Sequence, residues 1–255
     1  MKDIEIAFAV SDAYLHCLKP GCFLFNKFWS SKKKVKIFGY SSPPSSMRLP
    51  DNFEFISLGP QRGPKYSAQD RARICDFIEG DHFIFVVEND FLIRPVNFEV
   101  LDALGDILDN TVDRIDLTPS SSCHSMGKII KSYDRFDIFE IPQSADWRMA
   151  LGHYSVWRKD YLKKYLLELS GTNPWEFEKM GCEKAKNDGA KMLATSRSFA
   201  TYFIDSAHAD RQNNSLDLTG IAGRSSFGMS LEKHVIDEMI AQKIVKTNGS
   251  FYSVI

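Results

Sequence analysis

Charge of one sign is the first thing this chain lacks. Lys and Arg total 32 against 33 Asp and Glu, a formal net charge of −1. Without a basic surplus, a nucleic-acid polymer is excluded as the default partner, because such binding rests on neutralising phosphates. The same balance argues against a polybasic membrane anchor. Long hydrophobic runs are missing too. No stretch approaches the roughly 20 apolar residues of a membrane helix, so no transmembrane segment is expected. The opening residues, Met1-Lys2-Asp3-Ile4-Glu5-Ile6, lack the apolar centre of a signal peptide. Cysteine is scarce: Cys17, Cys22, Cys75, Cys123 and Cys182. An odd, scattered set with no paired spacing fits neither a disulfide framework nor a zinc site. Buried free thiols in a reducing, cytoplasmic setting are the expectation. The sequence has no GxSxG, HExxH, Walker A or dinucleotide fingerprint, and no internal repeat or low-complexity tract.

What is present suffices for a sizeable core. A chain of 255 residues, 44% of them hydrophobic, can fold as one domain without disulfides or a structural metal. The residue class in excess is aromatic, 13% with 19 Phe, which suits either a dense core or a stacking surface. Alternating Ile4, Ile6, Phe8 and Val10 predict a first strand ending at Ser11-Asp12. Residues 13–29 read as partly helical, with Pro20-Gly21 as an interruption. Short strands are predicted at Lys34–Gly39 and Phe53–Leu58, and Ser67 is read as the start of a capped helix. His82–Val87 is nearly all apolar, the mark of a strand covered on both faces. Helical spacing follows at Phe98–Leu108, at Leu162–Leu169, from Asn173, and at Leu231–Ile244. Strands are expected near Arg114–Leu117 and Phe136–Ile141, around a polar loop at Ser120–Ser125. This alternation predicts an α/β fold, an open and mostly parallel sheet flanked by helices. Ligands of such sheets bind beyond the carboxyl ends of the strands, where Ser11-Asp12 and Glu88-Asn89-Asp90 would stand.

Two clusters carry candidate chemistry. Glu88 and Asp90 follow a buried strand, and their hard oxygens suit Mg²⁺ or Mn²⁺ bridging to a diphosphate, provided the backbone stays extended. A solvated acidic turn accounts for such a tripeptide equally well. The second cluster is Asn173-Pro-Trp-Glu-Phe-Glu178. Asn173 suits an N-cap, Pro174 the first helical position, and Glu176 the third, closing a capping box. Glu178 falls instead on the less polar face with Trp175, Gly181, Cys182 and Ala185, where a carboxylate should have a raised pKa and can act as a general base. An ordinary charge at a face boundary is the alternative. Trp147, Tyr154 and Trp157 suit stacking or core packing, Arg71 phosphate contact or solvent, and His208 a metal or a packed site. Gly220–Gly228 reads as a loop without a phosphate-cradling pattern.

The run Val87-Glu-Asn-Asp-Phe-Leu92, followed by Pro95-Val96-Asn97, resembles the acidic motif region of glycosyltransferases of the GT-A type. Ala150–Leu162, on a helix bearing Trp157, and then Pro174-Trp-Glu-Phe-Glu178, resemble a bacterial and phage branch of that superfamily. The resemblance spans about residues 4 to 210 in element order and is close at these two places. It implies a GT-A-like, Rossmann-like single domain, with residues 1–110 binding a nucleotide sugar and 111–255 the acceptor. Ser11, Asp12, Tyr40, Arg71 and Asn89 would then meet a UDP- or GDP-linked donor. Glu88, Asp90 and His208 would hold Mn²⁺ or Mg²⁺. Glu178 would be the base, and Trp157 and Trp175 would face a saccharide or glycolipid acceptor, in polysaccharide assembly. ExD replaces the usual DxD here. Inversion by single displacement is the expectation, and no residue argues against retention. Two rivals remain open. A nucleotidyltransferase should carry glycine after the first strand, where Val10–Leu15 has none; a non-catalytic carbohydrate-binding or assembly protein would accommodate Asn89 and the loosened acidic motif.

Overall fold

The structure, a computed structural model, describes residues 4–118, 127–151, 153–200, 202–204, 215–216, 218, 224–225, 230–248 and 251–255. The chain is α/β. In order it forms β1 (Glu5–Ala9), α1 (Leu18–Phe25), β2 (Val35–Gly39), β3 (Phe53–Ser57), α2 (Ser67–Ile74), β4 (His82–Val87), β5 (Asp90–Leu92), α3 (Phe98–Ile107) and β6 (Val112–Asp116). Then follow β7 (Ile129–Ser132), β8 (Asp137–Glu140), β9 (Ser155–Arg158), α4 (Lys159–Glu168), α5 (Pro174–Ala185) and β10 (Lys191–Thr195). The last elements are β11 (Tyr202–Ile204), β12 (Ser215–Leu216), β13 (Arg224–Ser225), α6 (Lys233–Ala241), β14 (Val245–Asn248) and β15 (Phe251–Val254).

Nine strands make the main sheet in the order β3-β2-β1-β4-β9-β6-β10-β8-β7, with helices flanking it. The sequence predicts a mostly parallel sheet; the sheet is mixed. β2 runs parallel to β3, and β6 to β10. β9 enters between β4 and β6 antiparallel to both, and β8 is antiparallel to β10 and β7. The apolar run of β4 does report burial, since Phe83, Ile84, Phe85 and Val86 are all buried. Burial of both faces says nothing, however, about the direction of the neighbouring strands.

Contacts gather the chain into two compact units that interleave in sequence. One comprises the chain up to Ala7, Pro60–Val86 and Asn97–Phe199; the other comprises Phe8–Gly59, Val87–Val96 and Ala200–Ile255. In the first, α2 packs against α4, and β6, β9 and β10 supply the buried Ile115, Val156, Met192 and Leu193. In the second, Gly39 ends β2 where a Cβ would lie 2.7 Å from the Phe55 ring, so only glycine allows that approach. Two three-stranded sheets, β13-β11-β5 and β12-β15-β14, complete it.

Local signals explain most helix boundaries. Pro20 does not break α1, because it sits in the first turn, where its missing N–H removes no intrahelical bond. Ser67 is the first helical residue of α2 and not its cap, since a short 3₁₀ turn, Pro64–Tyr66, precedes it. The expected helix around Trp157 divides: Trp157 lies in β9, and the helix begins at Lys159. Asn173 caps α5 as predicted. Its side chain accepts from the Glu176 amide at 2.9 Å while the Glu176 carboxylate accepts from the Asn173 amide at 2.9 Å.

Candidate functional site

The first cluster lies in the unit that contains Phe8–Gly59 and Val87–Val96. Glu5 Oε2, at the start of β1, accepts from the amides of Glu79 and Gly80 just ahead of β4. At the far ends of the same strands, Ser11 Oγ lies 3.4 Å from Glu88 Oε1. With both pairs of like ends matched, β1 and β4 run side by side in the same direction. β2 and β3 extend the sheet to one side of β1 and β4 to the other, so the strand order reverses between β1 and β4. Crevices at such reversals, beyond the carboxyl ends, are where open α/β sheets bind ligands. Ser11 and Glu88 stand there.

Asp12 is held from the β2 side. Its two oxygens accept from the Ser41 amide and hydroxyl, each at 2.8 Å. The neighbouring Tyr40 is half-buried, and its carbonyl accepts from Ser57 Oγ at 2.6 Å. Asp12 therefore ties down the loop that carries Tyr40, an anchoring role that composition could not reveal. The acidic tripeptide departs from the extended form expected for it. Glu88 and Asn89 make a turn, half-buried, and Asp90 opens β5 at only 1% exposure, in register with Ile204 of β11. Both carboxylates are hard-oxygen donors, the class of ligand that a small divalent ion takes. Among the described residues no three His, Cys, Asp or Glu side chains gather to hold an ion by themselves. His208 lies outside the described residues, as do the Ser120–Ser125 loop, Cys123 and most of Gly220–Gly228.

The second cluster lies in the other unit. Glu178, half-buried on α5, accepts from the Leu151 amide at 2.9 Å. Burial raises its pKa above the ordinary glutamate value; the Leu151 amide and the charges of Arg71, His153 and Arg114 oppose that rise without cancelling it. The direction agrees with the sequence reading, but the cause does not include Trp175, which is 67% exposed. Arg71 acts on Glu178, with its guanidinium 6.0 Å above the Phe85 ring, so it is placed in the Glu178 cluster's unit. Trp157 requires a correction. It is 0% exposed, under the Arg114 guanidinium at 4.8 Å, and offers no face to an acceptor. Trp175 retains an open ring.

Sequence reasoning missed Arg114 and His153, whose charges act on Glu178, and the buried polar groups next to Arg114. Arg114, Asp116, Thr118 and Ser155 are buried polar groups at the carboxyl end of β6 and the start of β9. Arg114 donates to Ser155 Oγ at 2.9 Å, and the Thr118 amide donates to Asp116 at 3.0 Å. His153 and Tyr154 take φ values of 57° and 56°, a left-handed pair that non-glycine residues seldom adopt and that clusters at functional sites. The one available signal was polar residues alternating with apolar ones in Arg114–Leu117, which reads as a half-exposed strand. Cys182, Cys75, Cys22 and Cys17 are buried thiols outside any disulfide, and burial pushes the Cys75 thiol up to about 12. Among the described residues no helix is long and apolar enough to cross a membrane. No protein-family model matches the chain, and no curated protein matches it in sequence.

Proposed function

We propose that the protein is a GT-A-like glycosyltransferase that moves a sugar from a nucleoside-diphosphate donor to an acceptor hydroxyl. The observation that carries this reading is the Ser11–Glu88 contact at the reversal between β1 and β4, the place where a Rossmann-like half-sheet takes a nucleotide. Tyr40, on the loop anchored through Asp12, would border the base, and Asn89 would line the diphosphate. Glu88 and Asp90 would hold a divalent ion, which neutralises charge on the departing nucleoside diphosphate when bound.

In the other unit, Glu178 supplies a carboxylate of raised proton affinity. It would take the proton of the acceptor hydroxyl as the new glycosidic bond forms, with inversion at the sugar carbon. Trp175 offers an exposed aromatic face on the same helix for a saccharide ring or glycolipid headgroup. The resemblance of Val87–Leu92 and Pro174–Glu178 to GT-A enzymes supports the same assignment.

A thermal-shift panel of UDP- and GDP-linked sugars, with and without Mn²⁺, tests it. Stabilisation by at least one donor is expected, weakened in Asp90→Asn. Glu178→Gln should keep the shift and lose transfer and donor hydrolysis. A flat panel removes the transferase reading; binding without turnover in the wild type would identify a non-catalytic sugar-binding protein.

A further inference from the structure

The segment that delivers the Leu151 amide to Glu178 has an unusual support. Trp147 adopts φ 63°, a left-handed conformation that costs a non-glycine residue free energy and persists only where its surroundings enforce it. Its carbonyl accepts from Arg114 Nη1 at 2.8 Å, and the next carbonyl, of Arg148, accepts from the same nitrogen at 2.9 Å. Arg114 Nη2 is fixed in turn by Ser155 Oγ at 2.9 Å, and the guanidinium lies over the Trp157 ring. Asp116, the nearest carboxylate, is 3.5 Å from Nη2, beyond a strong bond, so the guanidinium is oriented chiefly by the two carbonyls and the hydroxyl. From the other side the segment is pinned to α5. The Met149 amide meets Cys182 Sγ at 3.3 Å, and a Cβ on Gly181 would come within 3.1 Å of Met149 Cβ. Residues 147–151 are thus clamped between Arg114 and the helix that bears Glu178.

We propose that Arg114 is a positioning residue for Glu178: by holding the Trp147 and Arg148 carbonyls it fixes the strained turn that places the Leu151 amide on the carboxylate. The proposal rests on Glu178 being the base, yet it concerns a coupling that exists without substrate. The groups that act on the carboxylate are Arg71 from α2, Arg114 from β6, His153 ahead of β9, and Cys182 on α5 itself. Arg114 holds the carbonyls of the turn through hydrogen bonds, and Cys182 meets its Met149 amide. A guanidinium can reach two carbonyls and a hydroxyl in one plane, whereas a lysine ammonium supplies the charge without that fork.

The test uses two readouts on the full-length chain, neither of which needs turnover. One is hydrogen exchange of the Leu151 amide; the other is titration of the Glu178 carboxyl by ¹³C NMR, assigned through Glu178→Gln. In Arg114→Lys the amide should exchange about five- to tenfold faster, as loss of its bond implies. The Glu178 titration should move upward with it, and Arg114→Met should move it further. Ser155→Ala, which removes one support and leaves the charge, should shift both readouts the same way by less. It decides the matter if the Arg114 variants do not fold. A wild-type pattern in Arg114→Lys, or a moved titration with unmoved Leu151 exchange, would show a charge effect alone and overturn the proposal. Retained transfer in Glu178→Gln would remove the base assignment and leave this coupling to be judged by its own readouts.

Discussion

At the level of single residues, Glu178 gathers opposing influences whose balance has a measurable sign. Burial favours the neutral carboxyl, and the Leu151 amide with Arg71, His153 and Arg114 favours the anion; burial is the larger. The folded chain therefore binds this proton more tightly than the unfolded chain does. The contribution to stability is full below the ordinary glutamate value and is lost as pH rises through the raised folded value. Glu178→Gln removes that loss, so the variant should gain stability relative to wild type on going from acidic to neutral pH, read by urea denaturation across that range. Catalysis runs the other way. A base must be anionic, so the transfer rate should rise with pH along an acid limb displaced above the ordinary glutamate range, and Gln should lower the rate about 10²–10⁴-fold. An acid limb at the ordinary position would sink the assignment. Glu178 was legible in the sequence because its helical face is shared with Gly181, Cys182 and Ala185. Its holders were not. A backbone amide leaves no trace in a sequence, and Arg114 is brought to it only by the pairing of β6 with β9.

Among the elements, α5 shows what local chemistry can specify. Cap, proline and reciprocal glutamate lie within four consecutive residues, Asn173–Glu176, and each satisfies or removes a donor that the helix leaves unpaired. Asn173→Ala should cost about 1 kcal/mol and Asn173→Gly only a few tenths, compared by denaturant midpoints. Equal losses in the two variants would mean that the cap bond contributes little. The small residues behind the cap have a second explanation, visible only in three dimensions. Gly181, Cys182 and Ala185 let residues 147–151 approach closely, and the Ala185 carbonyl accepts from the fully buried Arg148 at 3.1 Å. β9 was hidden for the converse reason. Four residues that follow a left-handed pair and run directly into a helix carry too short a period to be read, and their neighbours, β4 and β6, are chosen by long-range pairing. The same limit conceals the mixed character of the sheet, though not the existence of β1, β2, β3 and β4.

For the whole molecule, the interleaved units separate two contributions that can be measured independently. Ser11, Asp12, Tyr40 and Glu88 belong to one unit, and Glu178 and Trp175 to the other. Donor binding should therefore stabilise the chain through the first set whether or not the base is intact. At a donor concentration about 100 times Kd, binding to the folded state alone adds about 2.7 kcal/mol. Glu178→Gln should retain this gain, and Glu88→Gln should lose most of it. The ion enters the same linkage. Among the described residues no third His, Cys, Asp or Glu joins Glu88 and Asp90, so in the proposed site a small divalent cation would have too few oxygens until a diphosphate supplied the rest. Mn²⁺ alone should then leave the melting temperature unchanged, the nucleotide sugar alone should raise it modestly, and the two together should raise it by more than the sum of their separate effects. Hydrogen exchange should slow at Ser11, Ser41 and Asn89 under the combined condition. A full shift from Mn²⁺ alone would place the ion in a site built by the protein itself and contradict the shared shell. Strict additivity would show that ion and diphosphate do not meet.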